Sequence, residues 1–283
     1  MPELPELDAA VDQLRAHLLG HRLERFDVTA FSVLKTAQPD HASMVGREIT
    51  EIGRRGKFLL VGAEGRFAVV HLALAGWLRL GQAPAGTPAP TAGPLAVRMV
   101  IGDGTALDIT EQGRRKSVAL WISDRPDELE KIQRLGPESD SIALEEFTDL
   151  LDGTSSRLKT VLTDQTVMAG VGNAWSDEIL HRARLSPFAT ASRLDPEQVQ
   201  ALFTALQGVL GDVRTALEGV PLDRVKRTKK SLFAVHGRTG QPCPVCGGTV
   251  AEVSYADRSL QYCPACQTGG KRLSDRRMDR FLR

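Results

Sequence analysis

The chain has 283 residues, 42% hydrophobic and 25% charged, with a formal net charge of +1. That composition fits a globular protein of one large or two ordinary domains with a real core. It excludes a nucleic-acid partner argued from total charge, so any such case rests on where the charges cluster.

No cationic stretch followed by an apolar run stands at the start, so no secretory signal is read. The first segment, MPELPELDAAVDQLR, places Leu7, Val11, Leu14 and Leu18 on one helical face, with Gly20 as its stop. From about residue 21 to 123 the pattern turns strand-like, with apolar and polar residues alternating and glycines at the turns. GDGT reads as a hairpin turn and QAPAGTPAPTAGP as a surface loop. The most apolar stretch, FAVVHLALAGWLRL, carries a His and an Arg and is too short to span a bilayer. These strands predict a β-sandwich or barrel.

RPDELEKIQRLGPESDS is charged, is broken by Gly-Pro and reads as a boundary. Helical segments follow from Leu144, the longest of them starting at Asp195-Pro196. The basic segment DRVKRTKKSLFAVHGR leads to Cys243, Cys246, Cys263 and Cys266. Their C-x2-C-x16-C-x2-C spacing is that of one structural Zn2+ held by four thiolates, with no open position for catalysis. Between the pairs, TVAEVSY and SLQY read as a hairpin turning at ADR.

Taken together, PELPE, RRGKFLL, RLGPE, LTDQTVMAGVGNAWSDEIL, HGRTGQPCPVCGG and RSLQYCPACQ resemble, in order, the motifs of the formamidopyrimidine-DNA glycosylase / endonuclease VIII family. The matches span nearly the whole chain. The resemblance implies an α+β fold: an N-terminal β-sandwich with flanking helices, then a helix-two-turns-helix domain with a zinc-stapled hairpin. The expected boundaries are 1–133 catalytic, 134–143 linker, 144–236 helical, 237–268 zinc finger and 269–283 basic tail. It further implies a bifunctional DNA glycosylase with abasic-site lyase activity in base excision repair. The partner is damaged double-stranded DNA, lying in a cleft between the domains. The protein is expected to be a cytoplasmic, nucleoid-associated monomer.

The resemblance assigns roles residue by residue. Removal of Met1 makes Pro2 a secondary amine that can attack C1′ of the sugar and form an iminium, an electron sink for strand breakage. Glu3 handles protons and Glu6 supports the same pocket. Lys57, in RRGK, contacts the backbone flanking the lesion. Asn173, after GVG, and Arg258, in the hairpin, pinch the phosphates, and Lys159 lies near the damaged nucleotide. Each position also has a plainer reading. Pro2 and Pro5 suit a helix start, Glu3 offsets the helix dipole, Asn173 caps a helix, and the lysines and Arg258 are solvated.

The sequence departs from the family at the residues that fill the gap left by an extruded base. Leu74 stands where a Met is usual, Arg114 at the arginine, and Lys116 where an apolar Phe is usual. The segment VPLDRVKRTKKSLFAVHGR reads as a loop shorter than the one that caps 8-oxoguanine, and it lacks that loop's glycines. Oxidised pyrimidines, ring-opened purines or bare abasic sites are therefore expected to be better substrates than 8-oxoguanine. Clustered RRGK, GRRK, RVKRTKK and KRLSDRRMDRFLR supply a salt-dependent phosphate track. The alternatives are an abasic-site lyase without glycosylase activity, a non-catalytic damaged-DNA-binding protein, and an unrelated zinc-ribbon adaptor.

Overall fold

The structure is a computed structural model. It describes residues 1–83, 88–90, 92–112, 116–254 and 259–273. Arg114, Arg258 and most of the expected basic tail lie outside the described residues.

The chain forms two compact units, residues 1–134 with 214–228, and residues 135–213 with 229–283. In the first, helix α1 (Leu4–Leu18) precedes strands β1 (Leu23–Val28), β2 (Ile49–Arg55), β3 (Phe58–Ala63), β4 (Arg66–His71), β5 (Gly76–Gln82), β6 (Leu95–Ile101), β7 (Thr105–Glu111) and β8 (Ala119–Ser123). They make two four-stranded antiparallel sheets, ordered β1-β6-β7-β5 and β2-β3-β4-β8. Leu59, Val61, Val69, Val97, Leu107, Ile109 and Leu120 fill the core. The expected β-sandwich is present. The alternation of β3 is blurred because five of its six residues are buried. Leu7, Val11, Leu14 and Leu18 of α1 are buried as their spacing predicts, and Arg15 Nε donates to the Ile52 carbonyl at 2.7 Å.

A short helix α2 (Glu130–Gln133) ends the first run. The second unit contains α3 (Leu144–Asp152), α4 (Leu158–Thr163), α5 (Asn173–Arg182), most of α6 (Pro196–Leu217), a hairpin of β9 (Ala251–Ser254) and β10 (Ser259–Tyr262), and α8 (Pro264–Gln267). Asp195 starts α6 as its Asp-Pro signal predicts, accepting the Gln198 N–H at 2.8 Å.

Two boundaries differ from expectation. Of the segment expected as a linker, 134–143, all but Arg134 is built into the second unit: Ala169 N–H donates to the Pro137 carbonyl and Ser139 N–H to the Ala169 carbonyl. A Cβ on Gly136 would lie 2.3 Å from the Val167 carbonyl oxygen, so this approach requires glycine. Residues 214–228, expected with the second domain, belong to the first. Leu217, Leu222 and Val225 are buried, Gln13 bonds the Val220 carbonyl and the Leu222 N–H, and Arg214 pairs with Asp8 at 3.0 Å. The basic segment expected as a loop is helix α7 (Leu222–Ser231). Its two apolar residues, Leu222 and Val225, stand three apart on one face and are buried.

Gly76 begins β5 with its N–H bonded to the Leu72 carbonyl. A Cβ there would lie 2.3 Å from the Leu72 oxygen and 2.7 Å from a Val118 methyl, both in the core. Gly76→Ala is expected to lower stability by about 1–3 kcal/mol in urea denaturation. Gly81→Ala, at an open site on the same strand, is expected to change it far less; equal effects would remove the steric account.

Candidate active site and metal centre

Pro2 precedes α1 and is buried, with Glu3 and Glu6 each 2% exposed. Glu6 Oε2 accepts the Glu3 N–H at 2.6 Å, pinning the start of the chain onto the first turn. Glu3 is the N-cap of α1 and forms a capping box with Glu6, so both carboxylates serve the helix start while lying buried. Pro2 and Glu6 line one small space with Leu7, Ala10, Trp77, Leu78, Leu222 and Val225.

Lys57 sits in the turn between β2 and β3 and is 6% exposed, not solvated. His71, at the end of β4, stacks at a tilt on Phe58, 4.9 Å between centroids. Burial first, then the Lys57 charge, brings the His71 pKa down from 6.5 to about 4. Its Nδ1 accepts the Ala73 N–H at 3.3 Å, which places the proton of the neutral ring on Nε2. Ala73 takes a left-handed conformation, φ 49°, and the turn presents Leu74, 78% exposed. An apolar side chain held out in water is what a wedge requires.

Lys116 does not project in this way. Its ammonium donates to the carbonyls of Glu111 and, at 3.2 Å, Gly93. Glu111, 3% exposed, also accepts the N–H groups of Ser117 and Val118 at 2.6 and 3.0 Å. These bonds hold the Lys116 ammonium against Glu111 and Gly93.

In the second unit Asn173 is the first residue of α5, after Gly172, and its amide donates to the Ser259 carbonyl of β10 at 2.9 Å. It ties the helix start to the zinc hairpin and is not the cap. Lys159 is 9% exposed, and its ammonium donates to the Asn173 carbonyl (2.7 Å), Ser176 Oγ (2.8 Å) and Asp177 Oδ1 (2.6 Å). With three donors so placed, Lys159 works beneath the surface to position Asn173. Asp177, 1% exposed, also accepts from His236 Nδ1 at 2.7 Å and from the Gln261 N–H at 3.3 Å. Glu178 accepts three successive N–H groups, from Ala234, Val235 and His236. Burial nevertheless pushes its carboxyl above the ordinary range.

Cys243, Cys246, Cys263 and Cys266 bring their four Sγ atoms within 4.8 Å of one another. The Cys243–Cys266 and Cys246–Cys263 pairs stand 3.9 and 3.4 Å apart. Tetrahedral zinc bonded at about 2.3 Å sets sulfurs roughly 3.8 Å apart, so the cage fits. The Gly248 N–H draws Cys246 down to about 7, while burial pushes Cys263 and Cys266 up. Four crowded thiolates need a cation to coexist, and this site holds one structural zinc. His181 Nε2 lies 3.2 Å from Cys243 Sγ, a partner from α5 that the spacing of the cysteines did not disclose.

Two outcomes follow from these geometries. Metal analysis is expected to find one zinc per chain, and Cys263→Ala is expected to lose it and to lower the melting temperature. A zinc-free variant with unchanged melting would deny the metal its structural role. For His71, the folded pKa lies below the unfolded one, so its contribution is intact above about pH 6.5 and is lost as pH falls toward 4. The stability difference between wild type and His71→Asn is expected to shrink by up to about 3 kcal/mol over that window. A pH-independent difference in urea denaturation would contradict the buried neutral ring.

Three family models divide the chain among them. Residues 1–118 match the formamidopyrimidine-DNA glycosylase N-terminal domain, 135–219 the H2TH domain of the same proteins, and 240–269 the zinc finger found in FPG and IleRS. A formamidopyrimidine-DNA glycosylase of Roseiflexus sp. (strain RS-1) is 32% identical over 94% of this chain and 100% of its own length. An uncharacterized formamidopyrimidine-DNA glycosylase-like protein of Mycobacterium tuberculosis is 53% identical over 53% of this chain and 94% of its own. The crystal structure of the MutM (Fpg) protein from Thermus thermophilus superposes with a TM-score of 0.79 at 34% identity, covering 96% of this chain and 100% of that one. On the strength of full-length similarity and three domains in the same order, the chain belongs to the formamidopyrimidine-DNA glycosylase family.

Proposed function

We propose that Pro2 is the nucleophile of this enzyme and that Glu3 is its proton-handling partner. The chain is a bifunctional DNA glycosylase and abasic-site lyase of base excision repair, acting on damaged DNA. The observation that carries the assignment of Pro2 is its burial at the chain start beside two carboxylates that are themselves almost fully buried. A secondary amine in a dry pocket with adjacent acid–base groups is poised for covalent catalysis.

In the proposed sequence the Pro2 nitrogen bonds to C1′ as the bond from C1′ to the base breaks. Glu3 exchanges the proton that lets the sugar ring open to an iminium. The cation acidifies the C2′ hydrogen, whose loss expels the 3′ phosphate, and water then releases the enzyme. Lys57 and the neutral His71 stand in the same unit, and Leu74 fills the gap left by the extruded nucleotide. Asn173, positioned by Lys159, and Arg258 are assigned to the phosphates, and Arg114 to the gap. The preferred lesions are oxidised pyrimidines, ring-opened purines and bare abasic sites. That preference rests on the segment before the cysteines, which lacks the glycines of the loop that caps 8-oxoguanine. The enzyme is read as a monomer working at the nucleoid in the cytoplasm.

Strand cleavage at an abasic site in duplex DNA tests the assignment. Pro2→Thr is expected to reduce single-turnover cleavage by at least 100-fold with duplex affinity within a factor of three. Protein that retains Met1, identified by mass, is expected to be as poor. Full cleavage by either form would remove Pro2 from the chemistry.

A further inference from the structure

Three polar residues of α5, Asn173, Asp177 and His181, recur at four-residue intervals. That spacing sets them in a row on one face of the helix. Each reaches the zinc finger. Asn173 donates its amide to the Ser259 carbonyl at 2.9 Å, Asp177 accepts the Gln261 N–H at 3.3 Å, and His181 Nε2 stands 3.2 Å from Cys243 Sγ. The first two bonds join protein to protein. The third meets a metal ligand, and the reaction proposed above gives it no task.

His181 and Cys243 are both buried, at 6% and 2% exposed. Four thiolates around one Zn2+ leave a surplus of negative charge, and such a surplus held out of water needs hydrogen-bond donors. The Gly248 N–H supplies one to Cys246 at 3.4 Å from within the cysteine segment. Among the described residues, the donor that reaches Cys243 from another element is His181. A metal-bound thiolate carries no proton and can only accept, so this contact requires the ring proton on Nε2. Nδ1 has no hydrogen-bond partner among the described residues, so no competing bond favours the other tautomer. The four sulfurs already complete a tetrahedral site, which leaves His181 outside the ligand set.

We propose that His181 is a positioning residue of the zinc centre: its Nε2–H donates to the Cys243 thiolate, retains the metal and ties it to the helix that begins with Asn173. The inference stands whether or not Pro2 is the nucleophile.

The first test uses the wild-type protein. With its ring nitrogens labelled and zinc bound, NMR is expected to find the His181 proton on Nε2. With an NMR-active cadmium isotope in place of zinc, a coupling is expected between that proton and the metal through the Cys243 sulfur. A proton on Nδ1 alone would overturn the proposal, because Nε2 would then be an acceptor facing a thiolate. The second test separates the hydrogen bond from the packing of the ring. Glutamine can set an N–H donor where Nε2 stands, asparagine only nearer Nδ1, and phenylalanine fills the space with no donor. Zinc affinity, measured by competition with a chelator, is expected to fall about 10–100-fold in His181→Phe and His181→Asn, and to stay within about threefold of wild type in His181→Gln. In cobalt-loaded protein the sulfur-to-cobalt charge-transfer band is expected at lower energy in His181→Phe and His181→Asn, since a thiolate without its donor holds its electrons less tightly. In His181→Gln the band is expected near its wild-type position. Wild-type affinity with an unmoved band in folded His181→Phe would overturn the proposal. Equal loss of zinc in all three variants would reduce His181 to packing, and would overturn it as well.

Discussion

The first unit depends on burying the end of its own chain. A helix start is ordinarily wet, because its N–H groups have no partners within the helix. Here Pro2 lacks an N–H to satisfy, and Glu6 accepts the one on Glu3. Two carboxylates in a dry place are costly unless they are hydrogen-bonded, and the positive end of α1 offsets part of that cost. Once the chain end is fixed, the residues around it acquire their meaning. Trp77, Leu222 and Val225 line one small space with Pro2, and segment 214–228 belongs to the first unit.

The second unit turns on one buried carboxylate. Asp177 gathers Lys159 from α4, His236 from the segment before the zinc cage and the Gln261 N–H of β10. Asn173 then joins α5 to the same hairpin through Ser259. Removing either partner of such a buried pair costs about 3–5 kcal/mol, since it strands a charge. Zinc adds a second tie, and His181 on the same helix reaches its cage. The phosphate-binding edge proposed for this unit therefore rests on an ion pair and a metal cage beneath it.

What could be read in the sequence was what local pattern carries. The face of α1, the run of strands and the cysteine cage all follow from spacing over a few residues, and PELPE and GVGN mark their positions by composition. The rest depends on distant contacts. Lys159 looks like any lysine on a helix until Asp177, eighteen residues on, meets it. Lys116 falls at a wedge position in sequence, but Glu111 and Gly93 hold its ammonium back. The segment after Val220 reads as a loop because its charges outnumber its apolar residues, yet Leu222 and Val225 find an apolar surface and the segment folds as a helix.

The central claim is that the first processed residue forms the bond to DNA. The direct measurement is to incubate Met1-free protein with a labelled abasic duplex and borohydride, digest the adduct, and locate the modified peptide by mass. Borohydride freezes an iminium as a stable amine. The account predicts one adduct carrying the sugar on the Pro2 nitrogen. An adduct on Lys57 or another lysine, or none despite strand cleavage, would contradict it.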